Sequence, residues 1–204
     1  MTKFPIDAFA DVLQANSKFA TTFEDEHLTG TARKGLAIVT CIDSRINPLA
    51  VVGMKSGDAK ILRNAGARVT DDVLRTLVLA SYLLAVERVL VMPHTDCRMA
   101  SGDEESIHAS IEERHGIDTR NIEFRTVSDQ REALATDVAS IRAYSILPKT
   151  LQVAGAIYNV ATGELEPNNP IQRTCTKINR FMDATLWLNE IQQSTGSSSP
   201  VCTL

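Results

Sequence analysis

The sequence predicts an α/β fold with a mostly parallel central sheet flanked by helices, N-terminal helices and an α-helical C-terminal extension. Two observations support this prediction. Short uninterrupted apolar runs, typical of strands buried on both faces, recur along the chain, and a capped amphipathic helix separates two of them. Strand, helix, strand in this order is the βαβ pattern of a parallel sheet. We expect a single domain of residues 1–204, with a core at about 33–166, a helical arm at 1–30 and an extension at 168–204.

The N-terminal arm is predicted to form one or two amphipathic helices. Within residues 1–20, apolar side chains recur at a roughly helical spacing, at Phe9, Val12, Leu13 and Phe19. Such a stripe is stable only against another apolar surface, which the arm itself does not provide.

Three strands are predicted from the apolar runs at 36–39, 59–62 and 88–92. The first run ends at Thr40 and Cys41, and the third runs into Pro93 and His94. Between the second and third runs, Thr70 caps a helix that has an acidic first turn and apolar positions up to residue 85.

The later elements are predicted from capping and turn residues. Residues 101–104 read as a capping box that opens a helix, and Gly116 closes that helix. Ser128 is predicted to cap a further helix that runs to about Tyr144, ahead of Pro148. Residues 151–160, a turn at 161–164 and Leu165 favour a strand and hairpin at the sheet edge. The extension has a helical candidate over 174–193.

Bulk composition excludes several classes of function. The formal net charge is -4, and no stretch concentrates Lys or Arg as a polyanion-binding face requires, so we expect no nucleic-acid partner. No apolar run approaches the roughly 20 residues that span a bilayer, and the N-terminus lacks signal-peptide features. Four widely spaced cysteines do not form the framework of a small secreted domain. We therefore expect a cytoplasmic protein with reduced thiols and no membrane association.

Chemically active residues follow two of the predicted strands. Cys41, Asp43 and Arg45 come after the first, and His94 and Cys97 come after the third. In an open parallel sheet, the carboxyl ends of the strands meet at one edge, where ligands collect. If the chain after His94 enters a helical turn, His94 and Cys97 leave the same face, about 5–6 Å apart.

Two cysteines and one histidine are ligands that zinc prefers. Three protein ligands with a fourth position open to water are typical of a catalytic zinc, so we expect one Zn²⁺ per chain on Cys41, His94 and Cys97. Zinc acidifies a bound water to a pKa of roughly 7. Asp43 is then placed to orient that water, and Arg45 to keep Asp43 ionised.

Each feature alone has a plainer interpretation. A single cysteine at a strand end is usually core, and Asp-x-Arg is usually a surface ion pair. A phosphatase loop needs five residues between its cysteine and arginine, whereas only three separate Cys41 from Arg45. His108 and His115 are assigned to a solvated helix face, and no role is assigned to the three remaining candidates, His27, Cys175 and Cys202.

The motifs C-I-D-S-R, R-N-A-G and H-T-D-C, in this order and at these separations, resemble those of the β-class carbonic anhydrases, in particular the short bacterial forms. The similarity covers about residues 33–166. It implies Cys41, His94 and Cys97 as zinc ligands and Asp43 with Arg45 as the catalytic dyad. It also implies a pocket-lining role for a four-residue segment, Arg63, Asn64, Ala65 and Gly66.

The resemblance also implies an activity and an assembly. The implied reaction is the reversible hydration of carbon dioxide to bicarbonate and a proton. A hydrolase of carbonyl sulfide or carbon disulfide on the same scaffold is the alternative, and a non-catalytic zinc protein is a third. The family pattern implies at least a homodimer, with the N-terminal helices draped over the neighbouring subunit. It leaves open whether Asp43 pairs with Arg45 or swings to bind zinc.

Three features depart from the family pattern. Arg98 follows the second cysteine, where the family usually has glycine, and it puts a bulky cation close to the predicted metal site. Pro93 precedes the histidine and restricts Met92 to extended geometry. The segment beyond about residue 167 matches nothing in the family pattern.

Overall fold

The protein is described here by a computed structural model, in which residues 4–168 are placed. These residues form a five-stranded sheet with the strands β1 (Leu36–Cys41), β2 (Ala59–Asn64), β3 (Arg88–Met92), β4 (Gln152–Tyr158) and β5 (Leu165–Pro167). The strand order is β2-β1-β3-β4-β5, with the first four strands parallel and β5 antiparallel to β4. The predicted fold class, a mostly parallel sheet flanked by helices, is therefore confirmed.

Within residues 4–168, five α-helices accompany the sheet: α1 (Ala10–Ala20), α2 (Pro48–Val51), α3 (Asp71–Leu83), α4 (Glu104–His115) and α5 (Gln130–Ala143). Short 3-10 turns at Ile6–Phe9, Asp25–His27, Ala65–Ala67 and Arg98–Ala100 connect them to the strands. The helix after β2 begins as predicted, because the Thr70 side chain accepts a hydrogen bond from the backbone N–H of Val73.

Two predicted caps were wrong by one or two residues. Asp103, not Ser101, caps α4 by accepting from the N–H of Ser106. Asp129, not Ser128, caps α5 by accepting from the backbone N–H groups of Arg131 and Glu132. In both cases an aspartate next to the helix competes successfully with the nearby serine, because its carboxylate also complements the positive end of the helix dipole.

The core lies on both faces of the sheet. Alternate residues of β1 point to opposite sides, so Ala37 and Val39 face one apolar cluster with α3 and α5, while Leu36 and Ile38 belong to the other. Helix α5 lies very close to β4, since a Cβ on Gly155 would come within 2.9 Å of the Leu134 side chain. Little room for movement is left between this helix and the sheet.

The N-terminal arm forms the predicted helices, and its apolar stripe is uncovered. Phe9, Val12, Leu13 and Phe19 are 44%, 55%, 43% and 59% exposed. No helix within residues 4–168 has the length and hydropathy needed to cross a membrane. The predicted C-terminal extension, with its helical candidate and Cys175 and Cys202, lies outside the described residues.

Candidate metal centre

The register of β1 and β3 brings the predicted ligands together. Thr40 pairs with Met92 in parallel alignment, so the chain emerges from both strands at the same level. Cys41 is the last residue of β1, and His94 follows β3 in a bridge to Tyr158 of β4. Cys97 comes immediately before the 3-10 turn at Arg98–Ala100. Adjacent strands thus deliver all three side chains to the carboxyl edge of the sheet.

The three donor atoms form a compact buried group. The Cys41 and Cys97 sulfurs and a ring nitrogen of His94 all lie within 4.8 Å of one another. The two sulfurs are 4.0 Å apart. Two sulfurs bound to one tetrahedral zinc at about 2.3 Å would be about 3.8 Å apart, so the separation fits a shared ion. The residues are only 4%, 1% and 5% exposed in the order Cys41, His94, Cys97.

The hydrogen bonding of His94 also fits a metal ligand. Its Nδ1 lies 2.8 Å from the carbonyl oxygen of Thr95, and because a carbonyl only accepts, Nδ1 carries the proton. The other ring nitrogen, Nε2, therefore presents a lone pair. Nε2 is buried and has no hydrogen-bond partner among the described residues. A buried acceptor normally has a hydrogen-bond or metal partner. The lone pair of Nε2 is therefore suited to bind a cation such as zinc.

The thiols point to the same conclusion. Burial raises the pKa of the Cys97 thiol to about 11, with the neighbouring Cys41 adding to the effect and a backbone hydrogen bond from Met99 opposing it. A divalent cation bound to such a thiol deprotonates it and so removes this penalty. The backbone N–H of Gly66 lies 3.4 Å from the Cys41 sulfur and can stabilise a thiolate there. The donor set is therefore suited to Zn²⁺.

Asp43 and Arg45 form a bidentate ion pair beside the three donor residues. Arg45 Nε lies 3.0 Å from one carboxylate oxygen, and Nη2 lies 2.7 Å from the other. The Arg45 backbone N–H adds a third bond at 2.9 Å. These hydrogen bonds hold the pKa of Asp43 far below its usual range, so the carboxylate is ionised at every physiological pH. The near carboxylate oxygen lies 3.8 Å from His94 Nε2. In this structure Asp43 pairs with Arg45.

Asp96 is a member of the site that sequence reasoning missed. Its carboxylate lies 2.7 Å from Arg45 Nη1, and its carbonyl oxygen lies 3.1 Å from Nη2. Asp96 has a left-handed backbone with φ of 55°, a conformation that aspartate tolerates better than most residues. The signal was present as the acidic residue between His94 and Cys97, but only the fold reveals that Arg45 reaches it.

The segment Arg63–Gly66 lies next to the donor group. Arg63 donates to the carbonyl oxygens of Cys41, Asp43 and Ile46, so its guanidinium fixes the loop after β1. Asn64 closes the following turn through two bonds to the Arg68 backbone. A cleft of about 450 Å³ has Arg63, Asn64 and Ala65 in its lining but none of the three donor residues. The predicted pocket-lining role of the segment stays a prediction.

The remaining candidates are dispersed. Arg98 is exposed and makes no ion pair or side-chain hydrogen bond within residues 4–168. The prediction that His108 lies on a solvated face was wrong, because His108 is buried, bonds to Thr119 through Nδ1 and packs on Phe124. His115 is exposed, as expected.

Comparisons with known proteins agree with this geometry. The family model described as carbonic anhydrase matches residues 36–165. β-Carbonic anhydrase 1 of Mycobacterium tuberculosis is 32% identical over 160 residues, covering 78% of this chain and 97% of that protein. A carbon disulfide hydrolase of Acidithiobacillus thiooxidans is 28% identical over 164 residues, covering 71% of this chain and 81% of the relative.

A solved structure shows the same likeness. The crystal structure of carbonic anhydrase from Streptococcus mutans superposes with a TM-score of 0.73 at 32% identity, covering 83% of this chain and all of that one. The span matched by the family model, residues 36–165, includes both ligand-bearing strands and the motifs C-I-D-S-R, R-N-A-G and H-T-D-C. From its sequence, its sheet and this site, the chain belongs to the β-class carbonic anhydrase family.

Proposed function

We propose that the protein catalyses the reversible hydration of carbon dioxide to bicarbonate and a proton, with one Zn²⁺ per chain held by Cys41, His94 and Cys97. The observation that carries the proposal is the buried triangle of donor atoms, with an unpartnered His94 Nε2, next to an ionised Asp43. When bound, zinc supplies a water acidified to a pKa of roughly 7, available as a nucleophile at neutral pH.

Asp43 is proposed to orient the nucleophile. Its carboxylate is anionic and only 19% exposed, and one oxygen lies 3.8 Å from the donor nitrogen of His94. From there it could accept a hydrogen bond from the attacking water and orient that water toward the carbon of the substrate. Because an ionised carboxylate only accepts, it selects one orientation of the attacking O–H group.

Arg45 is proposed to keep Asp43 available for this role. Hydrogen bonds from the Arg45 guanidinium hold the carboxylate away from the metal donors, and Asp96 holds the guanidinium from the other side. If Arg45 were lost, the Asp43 carboxylate, which lies 3.8 Å from His94 Nε2, would be free to approach the donor group and could itself bind the ion. The Asp43–Arg45 pair would thus keep the carboxylate from taking the place of water on the ion.

Buried apolar residues surround the metal donors and exclude bulk water from the proposed site of carbon dioxide hydration. Ile46, Met92 and Met99 are 3%, 0% and 8% exposed and pack with the two cysteines. An uncharged substrate such as carbon dioxide enters such surroundings easily, and the exclusion of bulk water strengthens every electrostatic interaction inside. We propose that the core at about 33–166 contains all of the residues that bind the metal and catalyse the reaction.

The test is metal analysis together with a stopped-flow assay on the purified protein. We expect about one zinc per chain and rapid carbon dioxide hydration that a chelator abolishes. The same preparation should be assayed with carbonyl sulfide and carbon disulfide, because some curated relatives are carbon disulfide hydrolases. Hydrolysis of these substrates without carbon dioxide hydration would overturn the assignment, and zinc without either activity would indicate a non-catalytic zinc protein.

We also propose that the protein works as a homodimer or larger homo-oligomer in the cytoplasm. The support for assembly is the uncovered apolar stripe of the N-terminal arm, including Phe9, Val12 and Phe19. The support for the compartment is the pair of free cysteines, Cys41 and Cys97, which must stay reduced to bind metal. Deletion of residues 1–20 should lower the mass measured by light scattering at low concentration. An unchanged mass would contradict a role of the arm in assembly.

A further inference from the structure

Helix α5 makes polar contacts with the segment that carries His94 and with the loop whose Gly66 N–H faces the Cys41 sulfur. At its first residue, the Gln130 side-chain amide donates to the carbonyl oxygen of His94 at 2.8 Å. Two turns later, the Asp137 carboxylate bonds to Arg68, which belongs to the loop beside Cys41. One helix is therefore tied to the histidine on one side and to the loop next to a cysteine on the other.

The Asp137–Arg68 ion pair has good geometry, and its carboxylate is buried. Arg68 Nε lies 2.7 Å from one carboxylate oxygen and Nη2 lies 3.2 Å from the other, while Nη1 bonds to the carbonyl oxygen of Arg125. Asp137 is only 5% exposed. A carboxylate this deeply buried is tolerated only when it is paired, so its position and that of Arg68 are fixed by each other.

Arg68 also lies close to the amide that faces the Cys41 sulfur. Gly66, two residues earlier, donates its N–H to that sulfur at 3.4 Å. Gly66 has φ of 78°, and a Cβ there would lie 3.2 Å from Met99 and 3.5 Å from the Arg68 side chain. Both side chains therefore lie close to the backbone at Gly66. A displacement of Arg68 would move the Gly66 amide away from the sulfur.

We propose that Gln130 and Asp137 are positioning residues through which α5 sets the zinc affinity of the site. Gln130 acts on the backbone of His94, and Asp137 acts through Arg68 on the hydrogen bond from Gly66 to Cys41. The inference rests on the proposed function, since it takes Cys41, His94 and Cys97 as the zinc ligands. Neither residue touches the metal donors directly.

The packing of α5 supports a rigid role. Leu134, Val138 and Ile141 anchor the helix in the core, and Leu134 contacts β4 at Gly155. The space left between the helix, the Gly66 loop and Pro93 is only about 10 Å³. With so little free volume, polar contacts made by α5 define the ligand positions before any metal arrives. Preorganised ligands lose less conformational freedom on binding, and outer contacts of this kind typically contribute 10- to 100-fold in metal affinity.

The main test compares Asp137→Asn with the matched control Asp58→Asn. Asp58 is also buried, at 6% exposure, and also pairs with an arginine, Arg33, but it lies before β2 at the opposite edge of the sheet. Zinc affinity is measured on each purified protein by competition with a chromophoric chelator. We expect about a tenfold or larger loss for Asp137→Asn and no change for Asp58→Asn. Equal losses in both variants, or none in Asp137→Asn, would overturn the proposal.

A second pair of variants tests the proposal if Asp137→Asn does not fold. Gln130→Met keeps the length of the side chain and removes only the hydrogen bond to the His94 carbonyl. Gln152→Met is its control, since Gln152 is an exposed glutamine whose amide donates to the carbonyl oxygen of Thr150. We expect a several-fold loss of zinc affinity for Gln130→Met alone. A folded Gln130→Met protein with wild-type affinity would contradict the role of that residue.

A spectroscopic signature separates positioning from general stability. With Co²⁺ in place of Zn²⁺, the thiolate-to-metal absorption reports electron density on sulfur. Asp137→Asn weakens the Gly66 hydrogen bond and should shift that absorption, whereas Asp58→Asn should leave it unchanged. An unshifted band would contradict the path through Gly66. A wild-type protein that binds neither metal would overturn the proposed function itself, whereas equal binding by wild type and all folded variants would overturn only this inference.

Discussion

Two aspartate–arginine pairs lie at opposite ends of the parallel strands β1 and β2, one at the carboxyl ends and one at the amino ends. The two pairs differ in their surroundings. At the carboxyl end, Asp43 pairs with Arg45. At the amino end, Asp58 pairs with Arg33 and also accepts the backbone N–H of Lys55. Both contacts are short, at 2.7 and 2.9 Å. Contact geometry alone therefore does not distinguish a functional pair from a structural one.

The difference lies in what each carboxylate faces. Asp43 faces a buried nitrogen without a hydrogen-bond partner in residues 4–168, and two buried sulfurs lie close to that nitrogen. Asp58 faces only groups of the loops that it ties together. An ion pair becomes a candidate for catalysis when unsatisfied donors or acceptors converge beside it, because a folded chain rarely leaves buried polar atoms unpaired without a ligand to fill the gap.

The largest expected effect is the removal of a ligand from the carboxyl end. Cys97→Ser should lose bound zinc and activity, because the hydroxyl group is a far poorer zinc ligand than the thiolate. Atomic absorption on the purified protein measures the zinc. Cys175→Ser is the control, since no ligand role is assigned to that cysteine. A fully loaded Cys97→Ser protein would show that the ligand assignment is wrong.

The comparison itself is tested by removing each carboxylate. Asp43→Ala should keep zinc and lose about 10²- to 10⁴-fold in turnover, since no group then orients the nucleophile. Asp58→Asn should keep its turnover and melt at a lower temperature. Stopped-flow hydration and thermal unfolding measure the two quantities. Full activity in Asp43→Ala would mean that a different group prepares the nucleophile.

The pH dependence sharpens the same contrast. Because Arg45 keeps the pKa of Asp43 far below its usual value, Asp43 stays ionised from mildly acidic to alkaline pH. Activity should therefore rise in one step, with a midpoint near or above 7 that reflects water activated by zinc. A rate that is flat from pH 5 to 9 would be inconsistent with this assignment.

At the amino end, pH should affect stability and not turnover. Hydrogen bonds from Lys55 and Arg33 lower the pKa of Asp58, so its folded pKa lies below the unfolded value of about 3.9. Its stabilising contribution is fully present above the unfolded pKa and is lost as pH falls toward the folded one. The melting-temperature gap between wild type and Asp58→Asn should be constant at neutral pH and shrink below about pH 4. A gap that widened in acid would contradict the sign of this effect.

The smallest expected effect is at Arg98. This exposed cation follows Cys97 but has no ion pair within the described part of the chain. Arg98→Gly should keep zinc and change the rate by less than roughly tenfold, or about 1.4 kcal/mol of barrier. Total loss of activity in a zinc-loaded Arg98→Gly protein would show that Arg98 takes part in catalysis.

The sequence predicted the strands and their order in the chain well, because buried parallel strands are unbroken apolar runs with sharp ends. It also predicted that Cys41 and His94 would meet, since the carboxyl ends of such strands share one edge. It missed the contact of Asp96 with Arg45 and the contact of Asp137 with Arg68. These pairs join residues 51 and 69 positions apart, and no local pattern encodes which of many charged residues will meet across the fold.

It also misplaced His108, for a related reason. A histidine seven residues from another on a polar helix looks solvent-facing, and only the packing of Phe124 and Thr119 on that helix makes it buried. Local rules locate elements and their ends, whereas burial of a single polar side chain depends on distant segments that no helix pattern contains.

The most direct test of the central claim is X-ray absorption spectroscopy at the zinc edge of the purified protein. The account predicts two sulfur ligands at about 2.3 Å, one histidine nitrogen at about 2.0–2.1 Å and one further oxygen. Cys97→Ser should remove this signal together with the metal, and Asp58→Asn should leave it unchanged. A zinc shell without sulfur, or with four sulfurs, would contradict the assignment of Cys41, His94 and Cys97 to an open catalytic site.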